Sequence, residues 1–224
     1  MKNILARGGI EFIAVFLGIG LSFYVDEWRN DREQKELLIK DCNNILTDVN
    51  EDLITIDKII SFNKDILKSD KYIIRSLSQI DSVGIDTLVK EINSLTHPTF
   101  FGITRSYKLS YSTGRLNLYA EENLVIEISK LYDHYYERLK INSDIYDEIG
   151  LNFLDNYVIK NIGHTRLETD YDKNEVLIFL KNKYFLNQLI AFNYRVEIYL
   201  DRLNDTKNQL YLVKRLLDKY LFIN

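Results

Sequence analysis

The chain has 224 residues, with 29 lysines and arginines against 33 aspartates and glutamates and a formal charge of −4. One proline and nine glycines leave too little turn chemistry for an all-β fold. One cysteine excludes an internal disulfide framework and a cysteine-based zinc site, and three histidines without metal spacing offer no histidine site. The 46% apolar and 28% charged composition is that of a globular protein of long helices, for which no metal and no cofactor is expected.

Residues 1–7 read as a short tail. Gly8 to Val25, GGIEFIAVFLGIGLSFYV, is a run of 18 residues with Glu11 as its single charge. As a helix it is about 27 Å long, just enough for a bilayer core. Lys2 and Arg7 flank one end, Asp26, Glu27, Arg29 and Arg32 the other, and Tyr24 and Trp28 stand where interfacial aromatics do. A secretory signal would have a shorter apolar run and an A-x-A cleavage site, which does not follow here. The expectation is an uncleaved transmembrane anchor, with a buried core helix as the alternative. Lys2, Arg7 and Glu11 give residues 1–25 a formal +1, leaving −5 for residues 26–224, so net charge does not make this a basic nucleic-acid domain. Arg29, Arg32, Lys35 and Lys40 outweigh Lys2, Arg7 and the α-amino group. The positive-inside rule then places the C-terminal domain in the cytoplasm, and the lone thiol agrees with a reducing compartment.

The span has two faces. Glu11, Ala14, Gly18 and Ser22 form a small-residue stripe, and Phe12, Phe16, Ile19 and Phe23 form a bulky one. The first suits close helix packing or a pore lining, the second lipid. Glu11 is either a functional acid in the membrane or a group at the helix start that reaches the interface and meets the positive end of the dipole.

From Trp28 to Gly84 there is no helix breaker. Ile39, Leu46, Leu53, Ile60, Leu67 and Ile74 recur every seven residues, with Cys42, Val49 and Ile56 three places on from the first three. This a/d pattern predicts a seam for self-association through Ile39, Leu46, Leu53 and Ile60. Asn63 and Asp70 break the d row, while Ile59, Ile66, Ile73 and Ile80 widen the apolar face for bundle packing. Counted backward, the a row reaches Gly18 and Glu11 and the d row Ala14, so the membrane and cytoplasmic interfaces can be one surface.

Asp81–Asp86 reads as a turn around Gly84, and residues 86–95 as a short helix stopped by His97-Pro98. Residues 104–113 form a short helix ended by Gly114. Two helices follow, over 121–141 and over 143–162, the second capped by Ser143 and closed by Gly163. After a polar loop over 164–172, residues 173–222 hold one or two helices. There Leu189, Val196, Leu203, Leu210 and Leu217 recur every seven, as an antiparallel partner of the 39–80 helix would. The fold class is therefore all-α: one N-terminal transmembrane helix over 8–25, continuing into a long coiled-coil-like helix and an antiparallel helical bundle over 26–224.

No phosphate-binding glycine loop, nucleophile elbow or zinc-protease motif is present. Asp133-His134 reads as a surface pair and Cys42 as core. The best ligand candidate is Arg105, Tyr107, Lys108, Tyr111 and Arg115, whose cations and aromatics suit phosphates and bases. The bland alternative is a surface helix with its tyrosines turned inward. No convergent catalytic set appears, so an enzyme is not expected.

Gly9-Ile-Glu11, the glycine-punctuated span and Val25-Asp-Glu-Trp28-Arg-Asn resemble the start of an uncharacterised family of single-span bacterial membrane proteins. Tyr107, Ser112-Thr-Gly114, Leu116, Leu118 and Leu131-Tyr132 resemble its middle motif. Glu11 lies one place later than in that family's usual G-E pair, and Asp26 stands for its usual Asn. The resemblance implies a bacterial inner-membrane location and no known chemistry. The architecture is also similar to the membrane channel effector of the Hailong phage-defence system, where a nucleotidyltransferase makes an oligonucleotide that controls a pore. That similarity implies a nucleotidyltransferase or oligonucleotide partner. The expected function is a homo-oligomeric membrane effector or gated ion channel; the alternative is a membrane-anchored scaffold without a pore.

Overall fold

The computed structural model describes residues 2–80, 84–163 and 171–223, and for residues 2–11 and Ala14 the helical backbone only. The described residues are helical with no strand. Helix α1, Lys2–Leu77, runs unbroken for 76 residues, about 114 Å at the α-helical rise. Helices α2 (Ile85–Ser94), α3 (Arg105–Ser112), α4 (Arg115–Tyr119) and α5 (Glu122–Lys130) follow. A π turn, Leu131–Tyr136, leads into α6 (Glu137–Phe153), and a second, Leu154–Ile159, leads into α7 (Lys160–Ile162). Helices α8 (Lys173–Leu180) and α9 (Lys183–Ile223) close the bundle.

The stretch expected as two helices is one rod from Glu122 to Ile162 with two π turns. Ser143 caps nothing. It is buried, donates to the Leu139 carbonyl at 3.0 Å and meets the Tyr199 hydroxyl at 3.0 Å. No glycine or proline interrupts the backbone there, so a serine facing the core is satisfied by the preceding turn and the helix continues. Gly114 has the left-handed φ of 74° expected of it, and it also starts α4, which the sequence had not announced. Asp172 caps α8, its carboxylate accepting from the Asn174 and Glu175 amides.

Helix α9 is the antiparallel partner of α1, and this is the most extensive helix pairing in the fold. Lys71 pairs with Glu197 at 2.9 Å and Lys207 with Asp57 at 2.6 Å, so numbering rises along one helix as it falls along the other. The core row of α1 differs from the a/d expectation. Cys42, Val49 and Ile56 are fully buried as expected, but their partners in the stripe are Leu38, Ile45, Asp52, Ile66 and Ile73. Of the expected seam, Leu53 and Ile60 are buried and Ile39 and Leu46 are half-buried at its flank. The helix keeps its 3.6-residue period against several neighbours, so the stripe is broader than a two-stranded seam and centred to one side of it. Asn63 and Asp70 do not leave the core; both stay in the buried row with no exposed surface. Asn63 is accommodated because its amide donates to the Pro98 carbonyl at 3.0 Å and accepts from the Tyr146 hydroxyl at 2.9 Å.

From Phe12 to Trp28 the described side chains of α1 are exposed. Phe12, Phe16, Ile19, Phe23 and Trp28 are all more than half exposed, and a Cβ built on Gly18 or Gly20 would meet nothing. Among the described residues no helix is long and apolar enough to cross a membrane. The expected span over 8–25 falls partly outside them, because the side chains of Glu11 and Ala14 are not among those described.

Candidate functional site

The segment from Ile103 to Arg115, which contains part of the middle motif, lies against a row of acids on α1. Asp41, Asp48 and Asp52 are spaced by seven and four, which puts them on one helix face beside the apolar stripe. All three are nearly buried, and each receives a donor from the segment 103–115. Arg115 Nε donates to Asp41 Oδ2 at 2.8 Å, with both side chains largely out of water. The Ser106 amide donates to Asp48 at 3.2 Å and the Ile103 amide to Asp52 at 2.9 Å. These amides belong to the first turn of α3 and the residues just before it, where a helix lacks internal acceptors. The carboxylates of α1 therefore do from outside what an N-cap side chain does locally, and they sit at the positive end of the α3 dipole.

The second half of the site is aromatic. Tyr136 donates to Asp52 Oδ2 at 2.5 Å. Tyr107 stacks on Tyr132 with ring centroids 4.3 Å apart and planes 6° apart, and its hydroxyl donates to Asp133 at 2.8 Å. Tyr132 and Tyr136 meet edge to face at 5.1 Å inside the π turn, and Phe100 closes on Tyr136 at 5.9 Å. Gly102 passes so close to the Tyr136 ring that a Cβ would lie 2.2 Å from it. The Tyr132 hydroxyl is buried and has no hydrogen-bond partner among the described residues. π turns recur at functional sites, and this one places both tyrosines in the core beside the acid row.

Burial pushes the Asp52 carboxyl up to about 6 from its ordinary 3.8, against the opposing hydrogen bonds from Tyr136 and Ile103. Burial, and then the Asp52 and Asp48 charges, drive the Tyr132 phenol far above its usual range. Burial raises the Cys42 thiol to about 12, which fits a packed core side chain and not a nucleophile.

The five candidate anion-binding residues do not converge. Tyr107 is buried in the stack and Arg115 is spent on Asp41. Lys108 and Tyr111 are exposed on α3, and Arg105 lines a cleft of about 230 Å³ with Asn44, Asp48 and Ser106. Of the small-residue stripe, Gly18 and Ser22 are exposed, with the Ser22 hydroxyl donating to the Gly18 carbonyl at 2.9 Å, and the Glu11 and Ala14 side chains lie outside the described residues. Ile39, Leu46, Leu53 and Ile60 are placed in or beside the chain's own bundle. The acid row was not singled out from the sequence, although acids at spacings of four and seven beside an apolar stripe were the signal for it. The Ile103 and Ser106 amides and the Arg115 guanidinium all serve to dock the segment on the acid row. Among the described residues no group of three metal-ligating side chains occurs.

The fold and the site define an all-helical bundle built on one long projecting helix, with a row of three acids holding the segment from Ile103 to Arg115. The chain belongs to a family of unknown function (DUF6090), whose model matches residues 11–160. That match contains the acid row, the motif segment and the π turn at Leu131–Tyr136, while α8 and α9 lie outside it. No curated protein and no solved structure matches the chain.

Proposed function

We propose that the protein is a single-pass effector of the bacterial inner membrane, homo-oligomeric, whose cytoplasmic bundle controls an ion path formed by the membrane helices. The observation that carries this reading is the unbroken α1. Its described large apolar side chains from Phe12 to Trp28 are more than half exposed, and the same helix supplies the core row of the bundle. An element shared in this way couples any rearrangement of the bundle to the apolar segment without a hinge. Ser22 bonded to the Gly18 carbonyl is compatible with lipid, since no polar group of that pair needs water. In this reading Glu11, Ala14, Gly18 and Ser22 face the other copies, the bulky face meets lipid, and the protein has no catalytic role. The trigger is an anion such as the oligonucleotide implied by the resemblance to a phage-defence channel, with Arg105 and Lys108 as its exposed contacts.

The second reading is a membrane-anchored scaffold without a pore. It is favoured by the burial of Leu53 and Ile60 within the chain's own bundle, which leaves less apolar seam for self-association. Current across a planar bilayer containing purified full-length protein separates the two. The channel reading expects current that Gly18→Leu abolishes. Protein that stays in membranes through an alkaline carbonate wash but passes no current with or without added oligonucleotide leaves the scaffold.

A further inference from the structure

Asp70 lies in the core row of α1 with no exposed surface, and among the described residues neither of its carboxylate oxygens has a partner within hydrogen-bond distance, Asn193 lying opposite them at longer range. Asn193 on α9 is nine-tenths buried, and its side-chain nitrogen is also without a partner. Orphaned polar atoms on both sides of one helix interface are uncommon in folded proteins and call for an explanation. An ionised carboxylate is not stable in such a place without a cation or donors; the group neutralises instead.

Among the described residues no ion pair reaches Asp70. From α9, Asn193 faces Asp70, and Glu197 one turn further on is paired with Lys71. From α6, Tyr146 feels the Asp70 charge while its hydroxyl is given to Asn63 at 2.9 Å. His97 packs edge-on to Tyr146 at 6.2 Å. From α2, Glu91 accepts the Ser69 hydroxyl at 2.9 Å. Among the described residues no basic side chain pairs with Asp70.

We propose that Asp70 is a proton-operated latch between α1 and α9. Protonated, the carboxyl is neutral and its carbonyl oxygen can accept from the Asn193 amide nitrogen, so the interface closes dry. When the proton passes to solvent, the carboxylate requires hydration, and the distal half of α1 loosens from α9. Burial holds the acid near 7 against an ordinary 3.8, with the Asn193 amide opposing the shift. The folded state therefore binds more protons than the open one between about pH 4 and 7. The latch is fully closed below that window and weakens as pH rises through 7. This inference stands on the bundle alone and does not depend on the membrane reading.

The test is hydrogen exchange on the full-length protein between pH 5 and 8, corrected for the intrinsic pH dependence of exchange. In peptides covering 63–77 and 189–197 the opening constant should rise with pH, approaching tenfold per unit where one proton separates the states, and flatten above 7. Asp70→Asn and Asp70→Leu should both remove that rise, while peptides over 41–56, governed by Asp52, keep theirs. Infrared spectroscopy of the wild type should show a protonated-carboxyl band that titrates near pH 7 and is missing in Asp70→Asn. Identical pH profiles in wild type and variants overturn the latch. So does a wild type without a carboxyl band titrating near 7, a result that holds even if both variants fail to fold.

Discussion

Asp52→Ala tests whether the acid row holds the motif segment. The substitution removes the acceptor of two donors, the Ile103 amide at 2.9 Å and the Tyr136 hydroxyl at 2.5 Å. A buried donor left without a partner costs about 1–3 kcal/mol. Tyr136 pays that in full, whereas Ile103 is only half-buried and recovers part of its bond from water, so the gross loss is roughly 3 kcal/mol. Relief of the buried charge, visible in the raised Asp52 pKa, offsets part of it and leaves about 2 kcal/mol. Urea unfolding of the full chain in detergent, followed by circular dichroism, reads this as a lower midpoint at unchanged slope. Tyr136→Phe should cost about 1 kcal/mol, and the double variant less than the sum, because the two share one bond. The pH dependence gives an independent check. Asp52 has a folded pKa near 6 against 3.8, so its contribution is full below about pH 4 and is lost as pH rises through 6. That fall should be absent from the alanine variant. A loss under about 0.5 kcal/mol, or full additivity with Tyr136→Phe, would show that the contact does not hold the segment.

Arg115→Ala leaves Asp41 buried without its partner and should destabilise by about 3–5 kcal/mol, whereas Arg115→Met, which keeps the packing, should cost less; thermal melts rank the two. Gly102→Ala drives a Cβ into the Tyr136 ring and should cost about 1–3 kcal/mol, with a change in near-ultraviolet dichroism as the tyrosine cluster shifts. Leu46→Asp with Leu53→Asp puts a charge into the chain's own core, so lost far-ultraviolet signal and early melting should accompany any loss of oligomer. A variant that dissociates yet keeps the wild-type melting temperature would instead place that stripe between copies.

Composition and periodicity determined much of this protein. Scarce glycine and proline, long heptad-like rows and the apolar residues around Leu189–Leu217 were enough for an all-helical bundle with an antiparallel partner for α1, because helix type depends on local period. Gly114 was legible for the same local reason, since a left-handed turn after a short helix needs a residue without a side chain. The buried row of α1 was not legible. Whether Leu38 or Ile39 points inward depends on which neighbours pack around the helix, and a seven-residue count carries no knowledge of them. Asn63 and Asp70 looked like breaks for that reason. Only the tertiary structure shows Pro98 and Tyr146 satisfying the first, and Asn193 facing the second. Ser143 looked like a cap because its chemistry suits one, but capping requires that the chain turn there, and nothing in the packing makes it turn. The acid row is the same case on a larger scale: spacing alone does not single out Asp41, Asp48 and Asp52, and their role appears only when the segment from Ile103 to Arg115 folds across them and supplies the donors. A carboxylate's meaning lies in what it is buried against, and that is decided by segments 50 and more residues away.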